Sequence, residues 1–310
     1  MSDPVVTDVE RLSAVEVAAV LGLLRAAAAA DGVRPVSEDG ELRLRHGGPP
    51  GGRDLLVPVD GAVAGYARLD DGSAELVVHP SFRRRGLGTA LLTRLEDLAG
   101  AGGLSVWAHG DLPGSAELAA SRGYERARVL LQMRRDLAGV DPDPRPELPS
   151  DVTVRPFRPG TDESAWLRVN SRAFAWHPEQ GTWTAGDLAL REAEPWFDPA
   201  GFLMAWRGDP DDGGELLGFH WTKVHPAGAA ADEPVGEVYV LGVDPDAQGM
   251  RLGAVLTDLG LAHLRRQGLG SVLLYTEESN ATAVRLYEAR GFSRFSVDVA
   301  WRKDVLGRPV

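Results

Sequence analysis

The sequence predicts an α/β chain made of two copies of one unit, each a mixed sheet with helices on its faces. Three observations carry that prediction. Leu76–Val78 followed by His79-Pro80-Ser81-Phe82-Arg83-Arg84-Arg85-Gly86-Leu87-Gly88 reappears as Leu241–Val243 followed by Asp244-Pro245-Asp246-Ala247-Gln248-Gly249-Met250-Arg251-Leu252-Gly253. Val78 and Val243, and Gly88 and Gly253, stand the same 165 positions apart. A segment with four prolines and no apolar periodicity, residues 139–150, reads as an extended linker between two stretches of comparable length. At 310 residues the chain is long enough for each copy to bury its own core. The expected division is therefore 1–138, a linker at 139–150, and 151–310.

Each element follows from local pattern. In the first copy Leu12–Ala30 reads as a helix, and Leu55–Val59 with Val63–Leu69 flank Asp60-Gly61, a hairpin signal. Glu75–Val78 is an apolar strand, and Leu87–Leu98 carries apolar residues at helical spacing. Leu104–Ala108 is a second apolar strand, Ser115–Ser121 a short helix and Val129–Met133 a closing strand. The second copy repeats the order: strand Val152–Phe157, helices Glu163–Phe174 and Ala185–Ala193, then hairpin Phe202–Trp206 with Leu216–Val224. Strand Val238–Val243, helix Leu252–Arg266, strand Val272–Thr276, helix Ala281–Ala289 and strand Ser296–Trp301 complete it.

Composition narrows the function. A net charge of −12 argues against nucleic acid, which requires a concentrated basic surface; Arg83–Arg85 is too short a cluster to supply one. With no cysteine, disulfides, thiolate metal sites and a cysteine nucleophile are excluded. The seven histidines show no metal-ligand spacing, so no structural zinc is expected. The N-terminus lacks a signal-peptide pattern, and the apolar run Val15–Ala30 is broken by Glu16 and Arg25, so no membrane span and a cytoplasmic location are expected. Seven of the eight tryptophans follow residue 150, where most read as core.

The repeated loop enters a helix N-terminus, where several N–H groups lack intrahelical partners and the helix dipole is positive. Glycines let the main chain approach a phosphate closely, so each copy offers an anion site. The loops match neither the Walker A pattern nor the dinucleotide fingerprint.

Arg/Gln-x-x-Gly-x-Gly/Ala after an apolar strand resembles motif A of the GNAT acetyltransferases, and Asn280 through Phe292 is similar to the family's motif B. The resemblance covers both halves and implies that the cosubstrate is acetyl-CoA, with no metal. It assigns acetyl-CoA to Leu76, Val77, Val78, Arg84, Arg85, Gly86, Leu87, Gly88 and Thr89 in the first copy. In the second copy it assigns Leu241, Gly242, Val243, Gln248, Gly249, Met250, Arg251, Leu252, Gly253 and Ala254, with Asn280, Ala281, Thr282, Ala283, Val284 and Arg285 downstream. A narrower resemblance, on Gly236–Pro245, Leu273–Tyr275, His177–Gly181 and Trp221–Lys223, is to actinobacterial tandem GNATs that acetylate the cysteinyl amine of a cysteinyl-glucosaminyl-inositol. It implies that Glu38, Glu179, Lys223, Glu237 and Tyr275 contact this small-molecule acceptor, with no nucleic acid or membrane partner and a monomer sufficient. Read without it, Lys223 and Glu179 are solvated charges and Tyr275 is a packing residue.

The copies are not equivalent. Aligned on Gly123 and Gly291, Tyr287 faces Ala119 and Asn280 faces Leu112; Glu237 faces Gly72 when the loops are aligned. The resemblance gives Tyr287 the task of protonating the departing thiolate; Glu237 is the candidate for accepting the amine's proton or for holding the ammonium before attack, while main-chain N–H groups of Leu241–Val243 polarise the thioester. The second copy is thus expected to be catalytic and the first to bind acetyl-CoA without chemistry. Arg251 stands where the first motif glycine belongs, which implies strain if positive φ is required and a further phosphate contact if the guanidinium reaches one. Other acceptors, such as an aminoglycoside, a polyamine-like metabolite or a protein N-terminus, fit the same fold. So does a non-catalytic acetyl-CoA sensor.

Overall fold

The computed structural model describes residues 4–47, 51–177, 180–228 and 233–303. The first half runs β1 (Thr7–Val9), α1 (Ala14–Asp31), α2 (Glu38–His46), β2 (Arg53–Val59), β3 (Ala62–Asp70), β4 (Ser73–Val78), α3 (Leu87–Ala99), β5 (Leu104–Ala108), α4 (Pro113–Ser121) and β6 (Glu125–Asp136). The second runs β7 (Val152–Pro156), α5 (Glu163–Ala173), α6 (Ala185–Glu192), β8 (Phe202–Arg207), β9 (Glu215–His225), β10 (Val235–Val243), α7 (Leu252–Arg266), β11 (Ser271–Glu277), α8 (Ala281–Glu288) and β12 (Ser293–Lys303). Order and type repeat element for element, so the duplication read from two loops extends through the whole chain.

Local chemistry sets the ends. Ser13 and Glu16 form a reciprocal capping box on α1, which stops at Gly32 in the left-handed region. Asp60 and Gly61 both have positive φ, as a tight two-residue hairpin requires. Two elements lie outside the sequence prediction. Strand β1 is three residues long, too short for a period to register. Helix α2 is strongly polar; its signals are the Ser37 cap, acids in the first turn and bases in the last.

Two compact units result. The first gathers residues 1–131, 277–279 and 296–310. Its strands run β1-β2-β3-β4-β5-β12, with β12 antiparallel to β5 from Val299↔Ala108 to Lys303↔Leu104. Alternate side chains serve opposite faces: Leu55, Val57 and Ala67 pack with Leu91 and Leu95 of α3. Leu56, Tyr66 and Val77 pack with Val20, Leu23 and Ala27 of α1. Each fully buried Leu or Val is worth roughly 1.5–3 kcal/mol.

The second unit gathers 132–276 and 280–295, with strand order β6-β11-β10-β9-β8-β7. One face is aromatic: Trp166, Phe202, Phe219 and Trp221 are fully buried, with Trp183 and Trp196 packed against them. Phe202 and Trp221 stack at 4.5 Å between centroids. The tryptophans are therefore mostly core, as expected; Trp176, 54% exposed, is an exception. On the other face, Leu252 and Leu256 of α7 meet Ala205 and Leu217. Gly260 gives α7 room for the buried His220 ring, which lies where a Cβ would project. Burial lowers the His220 pKa to about 4, and its Nδ1–H donates to the Leu256 carbonyl at 2.7 Å.

The closing strands sit differently from the sequence reading. β6 ends the first half but lies beside β11, and β12 ends the chain but lies beside β5. The compact units accordingly divide inside β6, between Leu131 and Gln132, while 139–150 holds neither helix nor strand. An apolar alternation shows that a segment is a strand and says nothing about which edge it joins.

Within the first unit, His109 follows β5 and ties β12 down. Its Nδ1 lies 3.0 Å from Asp298 Oδ2 and its Nε2 2.9 Å from Glu75 Oε1. Glu75 also accepts from the Ser37 amide at 2.7 Å, and Asp298 from the Gly110 amide at 2.9 Å. Burial disfavours the imidazolium, but the hydrogen bonds to Asp298 and Glu75 outweigh it and raise the His109 pKa to about 9. The Glu75 carboxyl is held below its ordinary value: burial opposes this, and the bonds from His109 and Ser37 prevail. A folded pKa above the unfolded 6.5 gives stabilisation that is complete below pH 6.5 and lost as pH rises through 9. Urea unfolding across this window is expected to show a fall on the order of 3 kcal/mol. His109→Gln is expected to flatten that dependence.

Candidate active site

The site begins where two parallel strands part. β4 and β5 are in register for three pairs, Ser73↔Ser105 to Glu75↔Trp107. β10 and β11 are likewise paired for three, Gly236↔Val272 to Val238↔Leu274. Beyond these pairs, Leu76, Val77 and Val78 keep β3 as partner on their other edge, and Leu241, Gly242 and Val243 keep β9. Each parted edge presents main-chain N–H and C=O groups that need a partner. The resemblance assigns both segments to acetyl-CoA, and Leu241–Val243 to its thioester.

Each parted strand runs into the same 3-10 turn, Pro80–Phe82 or Pro245–Ala247, whose cap is His79 Nδ1 or an Asp244 oxygen. The loop backbones also match. Arg84 and Gly86 have φ of 61° and 85°; Gly249 and Arg251, at the equivalent places, have 86° and 61°. Each loop therefore uses two left-handed residues, one glycine and one arginine, in opposite order. Arg251 does occupy a position of positive φ, and it forms the N-cap of α7 as Gly86 does for α3. Gly88 and Gly253, in the first turns, have no such excuse. Their φ is not positive, and an added Cβ would meet nothing closer than 3.4 Å and 3.7 Å. A Cβ at either place would make ordinary van der Waals contact, so neither the backbone nor packing demands glycine there.

Arginines brace the loops. Arg83 pairs bidentately with Asp31 at 2.6 Å and donates to the Val78 carbonyl. Arg172 does the equivalent for the second loop, bonding Asp244 at 2.7 and 2.9 Å. Arg84 pairs with Glu117 on the surface, and Arg85 lies over the Phe82 ring. Gln248, Gly249 and Arg251 are exposed; Met250 and Ala254 are half-buried. In the first unit the parted strands, the loop and α4 enclose a cavity of about 870 Å³. Leu76, Val77, Val78, Arg84, Gly86, Leu87, Gly88 and Thr89 line it, so all of the residues assigned to acetyl-CoA in this copy except Arg85 border the cavity.

In the second unit Asn280 caps α8, its Oδ1 accepting from Ala283 N–H at 3.1 Å, where Leu112 gives α4 no side-chain cap. Ala281, Thr282 and Arg285 are exposed on α8, Ala283 is half-buried and Val284 buried. Leu286 reaches toward Gly253 of the loop helix. Tyr287 is buried against Phe292, and burial raises its pKa. Glu237 and Lys223 are directly cross-strand on β10 and β9, and both are buried. Lys223 is thus no solvated charge: its Nζ lies 4.2 Å from the Trp196 ring centre and 5.1 Å from that of Tyr239. Tyr275 is half-buried and its hydroxyl accepts from Gln132 Nε2 at 2.6 Å. Glu38 opens α2 in the first unit, next to Ser37. Glu179 lies outside the described residues.

Several site residues were not anticipated. His225 contacts Glu237; Tyr239 is the bulge residue skipped between Val238↔Thr222 and Val240↔Trp221; Arg191 donates to its hydroxyl at 2.8 Å and covers the Trp183 ring. Only the alternation of Lys223 and His225 on one strand face could have signalled the first of these. Among the described residues no group of three or more metal-ligating side chains occurs, and no helix is long and apolar enough to cross a membrane.

Two parted parallel strands, each feeding a glycine-bearing loop and a helix N-terminus, define an acyltransferase of the acetyl-CoA-binding class. The chain belongs to the acetyltransferase (GNAT) family, whose profile matches residues 24–124 and 169–292. It is similar to mycothiol acetyltransferase of Geodermatophilus obscurus, 68% identical over 307 residues, spanning 97% of this chain and 98% of that one. The enzyme of that name from Thermobispora bispora is 56% identical over 288 residues, with 92% and 95% covered. Among solved structures, a GCN5-related N-acetyltransferase from Sphaerobacter thermophilus superposes with a TM-score of 0.67 at 26% identity over 96% of this chain and 95% of that one. A tandem GNAT protein from the clavulanic acid biosynthesis pathway gives 0.73 at 22% identity over 98% and 100%.

The mirrored loops make a stability prediction. Gly249→Ala is expected to cost about 1 kcal/mol, whereas Arg251→Gly is expected to cost nothing and to gain up to about 1 kcal/mol in urea unfolding.

Proposed function

We propose that this enzyme transfers the acetyl group of acetyl-CoA to the cysteinyl amine of cysteinyl-glucosaminyl-inositol, the mycothiol synthase reaction, and that residues 151–310 carry the chemistry. Residues 1–138 hold acetyl-CoA without turning it over, and 139–150 link the two. The observation that carries the division is the difference between the repeats. Glu237 on the parting strand and Tyr287 on the helix beside the loop are both buried, while Gly72 and Ala119 face them in the first copy.

The chemistry follows from the geometry. The thioester carbonyl lies against the parted edge of Leu241–Val243, whose N–H groups stabilise negative charge developing on its oxygen. A cysteinyl α-amino group has a pKa near 7.7–8.0, so an appreciable fraction is already neutral at pH 7 and attacks directly. The C–N bond forms, the C–S bond breaks, and the amine's proton passes to Glu237. Tyr287, kept protonated by burial, delivers a proton to the coenzyme thiolate. The helix N-terminus at Leu252, with Gln248, Gly249, Met250, Arg251, Gly253 and Ala254, takes the pyrophosphate. Lys223 and Tyr275, with Glu179, supply polar contacts suited to an acceptor rich in hydroxyls.

Purified enzyme with acetyl-CoA is expected to favour cysteinyl-glucosaminyl-inositol over glucosaminyl-inositol and an aminoglycoside by on the order of 100-fold or more in kcat/KM. Tyr287→Phe is expected to lower kcat by on the order of 10²-fold. Equal rates on all three amines would overturn the acceptor assignment.

A further inference from the structure

His225 occupies a place that neither the loop motif nor the repeat explains. Strands β9 and β10 are antiparallel here, with Val235↔His225, Gly236↔Val224 and Glu237↔Lys223. Residues 223, 225, 235 and 237 therefore share one face of the ladder, and Glu237 lies diagonally across from His225. His225 Nε2 stands 2.6 Å from Glu237 Oε2, with the two side chains 7% and 8% exposed. A carboxylate oxygen only accepts, so Nε2 carries the hydrogen. Lys223, directly cross-strand from Glu237, has its Nζ over the Trp196 and Tyr239 rings. Two residues beyond Glu237 the strand bulges at Tyr239, after the in-register pairs Glu237↔Lys223 and Val238↔Thr222.

We propose that His225 is a positioning residue for the acyl transfer: by holding Oε2 through Nε2–H, it keeps the Glu237 carboxylate in one orientation for the incoming amine. The inference rests on the role given to Glu237 under Proposed function. A glutamate has three side-chain rotors, and a base must stay within hydrogen-bond reach of the proton it takes. A buried, short, charge-assisted bond from a rigid ring supplies that restraint.

The test compares His225→Phe and His225→Gln with the wild type on whichever amine of the acceptor panel it acetylates fastest. The phenyl ring keeps bulk and removes the donor; the glutamine amide restores a donor at the reach of Nε2. His225→Phe is expected to lower kcat roughly 10- to 100-fold while the KM for acetyl-CoA stays within about twofold. His225→Gln is expected to recover at least about tenfold of that loss. A kcat within about twofold of wild type in His225→Phe, or equal losses in both variants, would overturn the proposal. If only the phenylalanine variant fails to fold, the glutamine variant decides: near-wild-type kcat supports the role and a loss of about 100-fold contradicts it. A wild type that prefers another amine overturns the acceptor assignment and leaves this comparison intact.

Discussion

The structure depends on an interruption. In each unit two parallel strands pair for three residues and then separate, leaving one edge of Leu76–Val78 and of Leu241–Val243 without a strand partner. Unpaired main-chain groups within a sheet are costly, and such an edge persists because the surrounding layers hold it open. In the second unit β10 is anchored by a long ladder to β9 and by an aromatic core on one face. In the first, β4 is anchored to β3, and Glu75 at the last shared pair is fixed by His109 and Ser37. The opening is thus a rigid feature, placed one turn before a helix N-terminus whose N–H groups are also unpartnered. In the proposed function, the thioester and the pyrophosphate of one cosubstrate meet both needs.

The second feature is how each loop reaches its helix. Two left-handed residues are needed, and glycine fills one while arginine fills the other, in opposite order in the two copies. The strain of one non-glycine residue is therefore common to both. Sequence irregularity at Arg251 does not mark a weaker loop, because Arg84 carries the same conformation in the more regular copy. What separates the copies is downstream: a capped helix bearing a buried tyrosine in one, an uncapped helix bearing alanine in the other. The loop geometry has been kept twice, and the buried glutamate and tyrosine only once.

Much of this was legible in the sequence, and the omissions have physical causes. Apolar periodicity and turn chemistry located the longer strands and helices of both halves within a few residues, because those signals are local. The exchange of closing strands was invisible, since β6 and β12 carry ordinary strand patterns and pairing partners are a long-range matter. Helix α2 was missed for want of an apolar stripe, although its Ser37 cap and charge order announced it. At the candidate site, the loop residues stood out in the sequence because backbone geometry demands particular residue types at fixed spacing. His225, His109 and Arg191 were not, because a buried hydrogen-bond partner leaves no periodic trace. Lys223 is the reverse case: alone it reads as a surface charge, and only the packing of Trp196 and Tyr239 shows it to be interior.

The central claim is that one backbone device, used twice, binds the same cosubstrate twice while chemistry occurs once. Calorimetric titration of the intact enzyme with acetyl-CoA tests it most directly. Two molecules bound per chain is the predicted result, with the second copy's molecule alone consumed on addition of the acceptor amine. A single molecule per chain, at concentrations saturating the reaction, would contradict the account.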